Sequence, residues 1–123
     1  MSETIAYASV ARTATPTAYV LELSVITGLV VVIDVTAIGP APSVVCTLDG
    51  VDTVSGKFYN ILTATALVAV TGATPRVLRV GRGLLAAANL VANDMVPEKV
   101  RITMTHGNAD SITYSVCAHL LYS

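Results

Sequence analysis

The sequence predicts an all-β fold, an antiparallel β-sandwich with at most one short helix. First, Val, Ile and Thr make up about a third of the 123 residues, and such β-branched side chains favour pleated, half-buried strands. Second, Gly, Pro, Asp and Asn recur at short intervals between apolar stretches, as turns require. Third, the clearest segments alternate apolar and polar residues. Strands at this spacing fit a jelly roll and other antiparallel sandwiches equally well.

The chain is predicted to consist of an N-terminal arm, residues 1–18, and a single β-sandwich domain, residues 19–123. The first eighteen residues are small and weakly periodic, and Pro16 closes them. We expect this arm to order only against a neighbouring molecule. A chain of 123 residues is long enough to bury one modest core.

Two strands after the arm show a clear period of two. In VRITMTH, residues 100–106, apolar residues alternate with Arg and Thr, and ITYSVCAHLLY, residues 112–122, alternates in the same way. One buried face per strand produces this pattern. The complete set of predicted strands is Tyr19–Ile26, Leu29–Ile38, Ser43–Leu48, Lys57–Leu62, Ala66–Thr71, Arg76–Val80, Val100–His106 and Ile112–Leu121.

The segment GLLAAANLVANDM, residues 83–95, departs from the strand pattern. Its apolar residues Leu84, Ala88, Val91 and Met95 recur at helical spacing, and Ala is the best helix former. We expect a short helix or a compact loop here, ended by Pro97.

The composition indicates a protein that meets a partner. Hydrophobic residues make up 54% and charged residues 12%, and the mean hydropathy is +0.71, which is very apolar for a free monomer of this size. An oligomer or an assembled particle is therefore expected. The net charge is −1 without a basic run, which argues against nucleic-acid binding.

The start of the chain and its cysteines indicate a protein made in a reducing cytoplasm. The start, MSETIAYASVARTA, lacks the pattern of a secretory signal. Cys46 and Cys117 are expected to be free thiols, because a disulfide-stapled secreted domain normally carries more cysteines. Residues 18–38 are apolar, but Glu22 and Asp34 interrupt them, so a membrane helix is rejected.

The stretch THGNADSITYSVCAHLL, residues 105–121, gathers residue types found in active sites. His106, Asp110 and Ser111 have the chemistry of a hydrolytic triad, but they lie around one tight connection, where Gly, Asn, Asp and Ser favour a turn. We therefore predict a hairpin turn and no enzyme activity. A metal site could be formed by Cys117, His119 and His106, but a structural zinc site needs four ligands and the only further cysteine, Cys46, is distant in sequence. No metal or other cofactor is therefore expected.

Five residues are candidates for an interface. Arg76, Arg79 and Arg82 lie three apart in a strand and turn, on different strand faces, and could pair with acids of a neighbouring subunit. A solvated sheet edge is the alternative for these three arginines. Tyr7 and Arg12 are the candidate interface residues of the arm.

The second half of the chain resembles a group of small tailed-bacteriophage virion proteins that are typically encoded beside the major capsid protein. The resemblance covers roughly residues 55 to 121, and its most specific pieces are the segment from Gly83 to Pro97 and HGNADSITYSV, residues 106–116. The chain departs from the pattern at Cys117-Ala118-His119, where small or aliphatic residues are expected. The first half shares only the β-rich character.

The resemblance implies a capsid decoration, or cement, protein on the virion surface. Such proteins often form trimers on the outside of the expanded head and clamp neighbouring copies of the major capsid protein. The expected partners are thus the major capsid protein and further copies of this chain. A head–tail joining or tail protein is the close alternative. From a different class, a β-sandwich module that binds carbohydrate or a host surface is also consistent with the fold, although Trp is absent and only one Phe and five Tyr are present.

Overall fold

The computed structural model of the chain describes residues 2–22 and 26–122. In that part of the chain it is all-β and contains no helix, as the sequence predicts. The strands are β1 (Ser2–Arg12), β2 (Tyr19–Glu22), β3 (Ile26–Ile38), β4 (Val44–Val51), β5 (Phe58–Thr63), β6 (Arg76–Gly81), β7 (Val91–Asn93), β8 (Lys99–His106) and β9 (Ile112–Tyr122).

The strands form two sheets that pack face to face as a β-sandwich. The five-stranded sheet has the order β1-β9-β3-β6-β7, and the four-stranded sheet has the order β2-β8-β4-β5. Among the described strands every pairing is antiparallel except that of β6 with β7. The predicted antiparallel sandwich is confirmed.

The order in which the strands pair is that of a jelly roll. With the three-residue β7 set aside, the pairs are nested, since β1 pairs with β9, β2 with β8, β3 with β6 and β4 with β5. Such nesting winds one long hairpin around the sandwich and gives eight strands in two sheets. The topology that the strand spacing left open is therefore resolved.

The core lies between the sheets and is built by the alternating residues of each strand. In β9 every second residue from Ile112 to Leu120 is buried, and in β8 the same holds for Val100, Ile102 and Met104. Side chains of a strand point to opposite faces in turn, so one face of each strand fills the core. The largest fully buried side chains include Tyr114, Leu29, Ile33, Leu48, Leu67 and Leu78.

The connection between β8 and β9 is a crossing between sheets. The predicted hairpin is wrong, because β8 pairs with β2 and β4, whereas β9 pairs with β1 and β3. Both strands bury one face in the same core, which lets them face each other across it. Alternation along each strand is the same in either arrangement, so the sequence did not distinguish them.

For residues 83–95 the helix is wrong, and the alternative of a compact loop holds up to the start of β7. The predicted strand Ala66–Thr71 is also wrong. Residues 83–95 are turns followed by β7, and positive φ at Gly83 and Asn89 (79° and 65°) prevents a continuous helix. Met95 is 67% exposed, so an apolar helical stripe would have no surface to cover. In the predicted strand Ala66–Thr71, only an isolated bridge between Leu67 and Val44 forms.

The first residues pair with the rest of the chain as a strand. Residues 2–12 form β1, which pairs antiparallel with residues 120–112 of β9. The register of this pairing is irregular around Tyr7. The remainder of the arm, up to residue 18, leads into β2 without regular structure. Our expectation that the arm, residues 1–18, orders only against a neighbouring molecule stays a prediction. Its test is limited proteolysis of the free protein, in which survival of residues 1–18 would count against it.

The apolar stretch of residues 18–38 contributes to both sheets. Its described parts belong to β2 and β3, and residues 23–25 lie outside the described residues. No helix in the described part of the chain has the length and apolar character needed to cross a membrane.

Candidate functional site

The polar residues of the β8–β9 crossing hold a neighbouring loop. The Asp110 carboxylate accepts a hydrogen bond from the Ala41 amide at 3.1 Å, and the Asn108 amide group donates to the Ala41 carbonyl at 2.9 Å. The Gly107 amide donates to the Ser43 carbonyl at 2.8 Å. Residues 107–110 therefore fasten the β3–β4 loop, and Asp110 is engaged there instead of orienting His106.

His106 belongs instead to an aromatic and basic cluster beside the core. Its Nε2 lies 3.0 Å from the Tyr114 hydroxyl. The Arg12 guanidinium lies 4.6 Å from the centroid of the Tyr114 ring and 5.6 Å from that of Tyr7. The Tyr7 hydroxyl donates to the carbonyls of Thr17 at 2.8 Å and Ile102 at 3.2 Å. The cluster fastens β1 to β9, with the Tyr7 hydroxyl also bonded to β8.

Two of the predicted interface residues, Tyr7 and Arg12, meet in this cluster. Tyr7 is buried, and Arg12 is half-buried and donates to the backbone carbonyls of Ala8, Val10 and Tyr114. A guanidinium offers five donors in a fixed fork, so several carbonyls can be held at once. Both side chains thus have partners within the chain.

The protonation states in the cluster follow from burial. Burial raises the pKa of Tyr114 to about 12, although the nearby Arg12 charge opposes this. Burial, followed by the charge of Arg12, lowers the pKa of His106 below its ordinary value of 6.5. At neutral pH the Tyr114 hydroxyl therefore donates to a neutral His106. This assignment places the ring proton on Nδ1, which is buried without a hydrogen-bond partner among the described residues.

We expect His106 to make the protein less stable in mild acid. Because its pKa is lower in the folded than in the unfolded state, the unfolded chain binds the proton more readily. Its contribution is fully present above pH 6.5 and is lost as the pH falls through the folded-state pKa. Urea unfolding at pH 7.5 and pH 5.5 measures the loss. In His106→Gln, which keeps an acceptor for Tyr114 but cannot titrate, the loss should shrink; an unchanged pH dependence would assign it to other groups.

A second polar cluster, which the sequence analysis did not single out, lies on the outer face of the four-stranded sheet. Asp49 is buried and accepts hydrogen bonds from Arg101 at 2.9 Å and from the Asn60 amide group at 3.2 Å. The Arg101 guanidinium stacks on Phe58, 3.4 Å from the ring centroid. Asp49 and Arg101 are opposite each other in the register of β4 and β8. The ion pair between Asp49 and Arg101 depends on how β4 and β8 are aligned. The periodicity of a single strand does not reveal that alignment.

The three arginines predicted for an interface lie along β6 and its following turn. Arg76 is half-buried, and its guanidinium donates to the Thr65 carbonyl. Arg79 and Arg82 are exposed, and within the described residues no carboxylate lies within ion-pair distance of either. The arrangement leaves two solvated positive charges beside β7, the edge strand of the five-stranded sheet.

Exposed apolar residues surround that edge. The β6–β7 turn exposes Leu85 (92%) and Leu90 (46%), and the β5–β6 loop exposes Val68 (59%) and Val70 (49%). Leu90 and the two valines line one groove of about 400 Å³ together with Arg76 and Val77. We call Val68, Val70, Leu85 and Leu90, with Arg79 and Arg82, the β6 edge patch. Clustered exposed apolar side chains, such as the three that share this groove, mark contact surfaces.

The residues considered for metal binding separate into two groups. Cys46 is buried in the core and Cys117 is half-buried on the outer face of β9, and both are free thiols. His106 is bonded to Tyr114, away from Cys117. Cys117 and His119 instead meet Glu3 of β1, which the sequence did not associate with them. Only the pairing of β1 with β9 brings Glu3 there.

Comparison with known protein families, with curated proteins and with solved structures finds no match to this chain.

Proposed function

We propose that this chain is a structural virion protein that decorates a phage capsid by binding the outer surface of the major capsid protein lattice. The β6 edge patch is the observation that carries the proposal. It lies within the segment, roughly residues 55 to 121, that resembles small virion proteins. The jelly roll is compatible with this role, since viral capsid domains, lectins and cupins all use it.

The patch has the chemistry of a protein contact. Full burial of a side chain such as Leu85 contributes about 1.5–3 kcal/mol, and Val68, Val70 and Leu90 share one groove. Arg79 and Arg82 add positive charges that could meet carboxylates of the capsid protein. Many copies on a symmetric lattice multiply a modest contact, and no reacting side chain or cofactor is needed. The proposed oligomer is a homotrimer, made in the host cytoplasm and located on the capsid surface.

Substitutions in the patch are expected to weaken head binding. Leu85→Asp and the pair Arg79→Glu with Arg82→Glu should each lower affinity for heads that lack this chain by about tenfold or more. Val54→Asp and Lys57→Glu are matched controls, because they change an exposed apolar residue (95% exposed) and an exposed charge in the β4–β5 turn. Sedimentation of the protein with heads measures binding. Equal binding by patch and control variants would contradict the assignment of the surface.

The copy number in the particle tests the function itself. Quantitative mass spectrometry of purified virions gives the ratio of this chain to the major capsid protein. A ratio near one, or a simple fraction set by the lattice, supports decoration of the head. A handful of copies would move the protein to the head–tail junction or the tail. Absence from the particle would refute a virion role.

A carbohydrate- or host-surface-binding module is the second candidate. Phe58 and Tyr59 are half-exposed, and Phe58 lies beside the Asp49 and Arg101 pair. An exposed aromatic ring offers the large apolar surface on which a sugar ring could stack. A glycan array with the wild type and Phe58→Ala distinguishes the two functions. Binding that Phe58→Ala abolishes would favour the module, and an array without signal would remove it.

A further inference from the structure

We propose that Glu3, Cys117 and His119 form a zinc site that ties β1 to β9. The site lies on the outer face of the five-stranded sheet, away from the β6 edge patch. The inference does not depend on the virion function, because it concerns only how this chain holds its own first strand.

The geometry of the strand pair brings the three side chains together. Cys117 and His119 are two residues apart in β9 and therefore point to the same face. Glu3 is the register partner of His119 in the antiparallel pairing of β1 with β9. One ligand atom from each residue lies within 4.8 Å of the other two.

The spacing of the ligand atoms suits a metal better than a direct hydrogen bond. His119 Nδ1 lies 3.6 Å from the Glu3 carboxylate, which is beyond the usual hydrogen-bond range of about 2.7–3.2 Å. Two tetrahedral ligands at roughly 2.1 Å from a zinc ion are about 3.4 Å apart. Small rotations of exposed or half-buried side chains would bring all three atoms to that separation.

The donor atoms are those that zinc takes in proteins. A thiolate sulfur, an imidazole nitrogen and a carboxylate oxygen together select a borderline-soft divalent ion over Mg²⁺ or Ca²⁺. The Glu3 side chain is 71% exposed, so the fourth position opens to solvent and takes a water molecule. Binding forms a zinc–sulfur bond and releases the Cys117 thiol proton to the buffer. One Zn²⁺ with one thiolate, one carboxylate and a neutral imidazole has no net charge.

Without metal, the Cys117 thiol is expected to stay protonated. Burial, followed by the negative charge of Glu3, raises its pKa. A cation at the centre of the three side chains reverses both effects, as is usual for metal-bound thiols. Glu3, whose charge helps to keep the free thiol protonated, thus becomes a fellow ligand of Cys117 when the ion is present.

The first experiment is metal titration of the purified, reduced chain. We expect one equivalent of Zn²⁺ to bind, and Co²⁺ in its place to give a thiolate-to-cobalt charge-transfer band. At a free Zn²⁺ concentration one hundred times Kd, the melting temperature should rise by about 8 °C. Absence of both the band and the melting shift in the wild type would overturn the proposal.

Variants assign the ligands. Cys117→Ser should abolish the cobalt band, and His119→Gln and Glu3→Gln should each weaken Zn²⁺ binding by tenfold or more. His106→Gln and Glu22→Gln are matched controls that change the same residue types elsewhere. Binding that survives Cys117→Ser and His119→Gln, or that is lost in His106→Gln, would place the metal elsewhere and refute the site.

Hydrogen exchange tests the consequence for β1. Zinc should slow hydrogen exchange of the β1 amides that bond to β9, by a factor that corresponds to the stabilisation of the β1–β9 pair. The exchange rates of the β5 amides should not change. This readout is independent of the melting temperature. Zinc-induced protection spread evenly over all strands, or absent from β1, would contradict a tie between β1 and β9.

Discussion

Tyr114→Ala is expected to lower the free energy of unfolding by about 3–5 kcal/mol. Tyr114 has the largest side chain among the fully buried residues that the structure describes. Its removal leaves a cavity between the sheets and also deprives Arg12 of the ring on which it stacks at 4.6 Å. Because β9 is paired on both sides, by β1 and β3, the backbone has little freedom to close that cavity.

Tyr114→Phe separates the ring from the hydroxyl. This variant keeps the packing and removes only the hydrogen bond to His106, so we expect a loss of about 1–2 kcal/mol. Urea unfolding followed by circular dichroism measures both variants. If Tyr114→Ala lost no more stability than Tyr114→Phe, the ring would contribute little and the description of the core around β9 would be wrong.

Asp49→Ala is expected to lower the free energy of unfolding by about 2–3 kcal/mol. Loss of one partner of a buried ion pair typically costs about 3–5 kcal/mol, and the value here is reduced because the Arg101 side chain is 29% exposed. The substitution also removes the acceptor of the Asn60 amide group. Arg101 Nε already has no partner among the described residues, so the guanidinium would lose its one carboxylate contact in that part of the chain.

A double-mutant cycle isolates the Asp49–Arg101 pair. Arg101→Met combined with Asp49→Ala should cost less than the sum of the single variants, because removing both side chains leaves no charge without a partner. Glu22→Ala is a matched control, since it breaks the exposed pair with Lys99 (N···O 3.3 Å) on the same sheet and should cost under about 0.5 kcal/mol. Additive losses in the cycle would show that Asp49 and Arg101 act independently.

Alternation alone was enough to predict the sandwich and most of its strands. β8 and β9 begin and end within one residue of the predicted ranges, because each has one face in the core and one in solvent. The predicted strands Tyr19–Ile26 and Leu29–Ile38 leave Gly28 between them, yet it lies inside β3. A Cβ at this position would lie 2.9 Å from the end of the Leu121 side chain of β9, so glycine leaves room for that side chain instead of forming a turn.

The candidate sites were harder to predict because they depend on strand register. His106 was associated with Asp110 and Ser111 by closeness in sequence, whereas its partner is Tyr114. Glu3 lies more than a hundred positions from His119 in the chain but directly opposite it in the sheet. Neither periodicity nor composition contains this information, since both describe one strand at a time.

The nested pairing has a consequence for how the chain acquires its fold. Arg12 and Tyr114, which contact each other, are 102 positions apart, and β9 must insert between β1 and β3 to complete the five-stranded sheet. Closing such long loops makes folding slow, on the order of milliseconds to seconds. Until β9 arrives, β1 and β3 border an open slot that β9 of another copy could fill. Refolding at high concentration should therefore yield domain-swapped dimers, whose fraction falls as the chain is diluted.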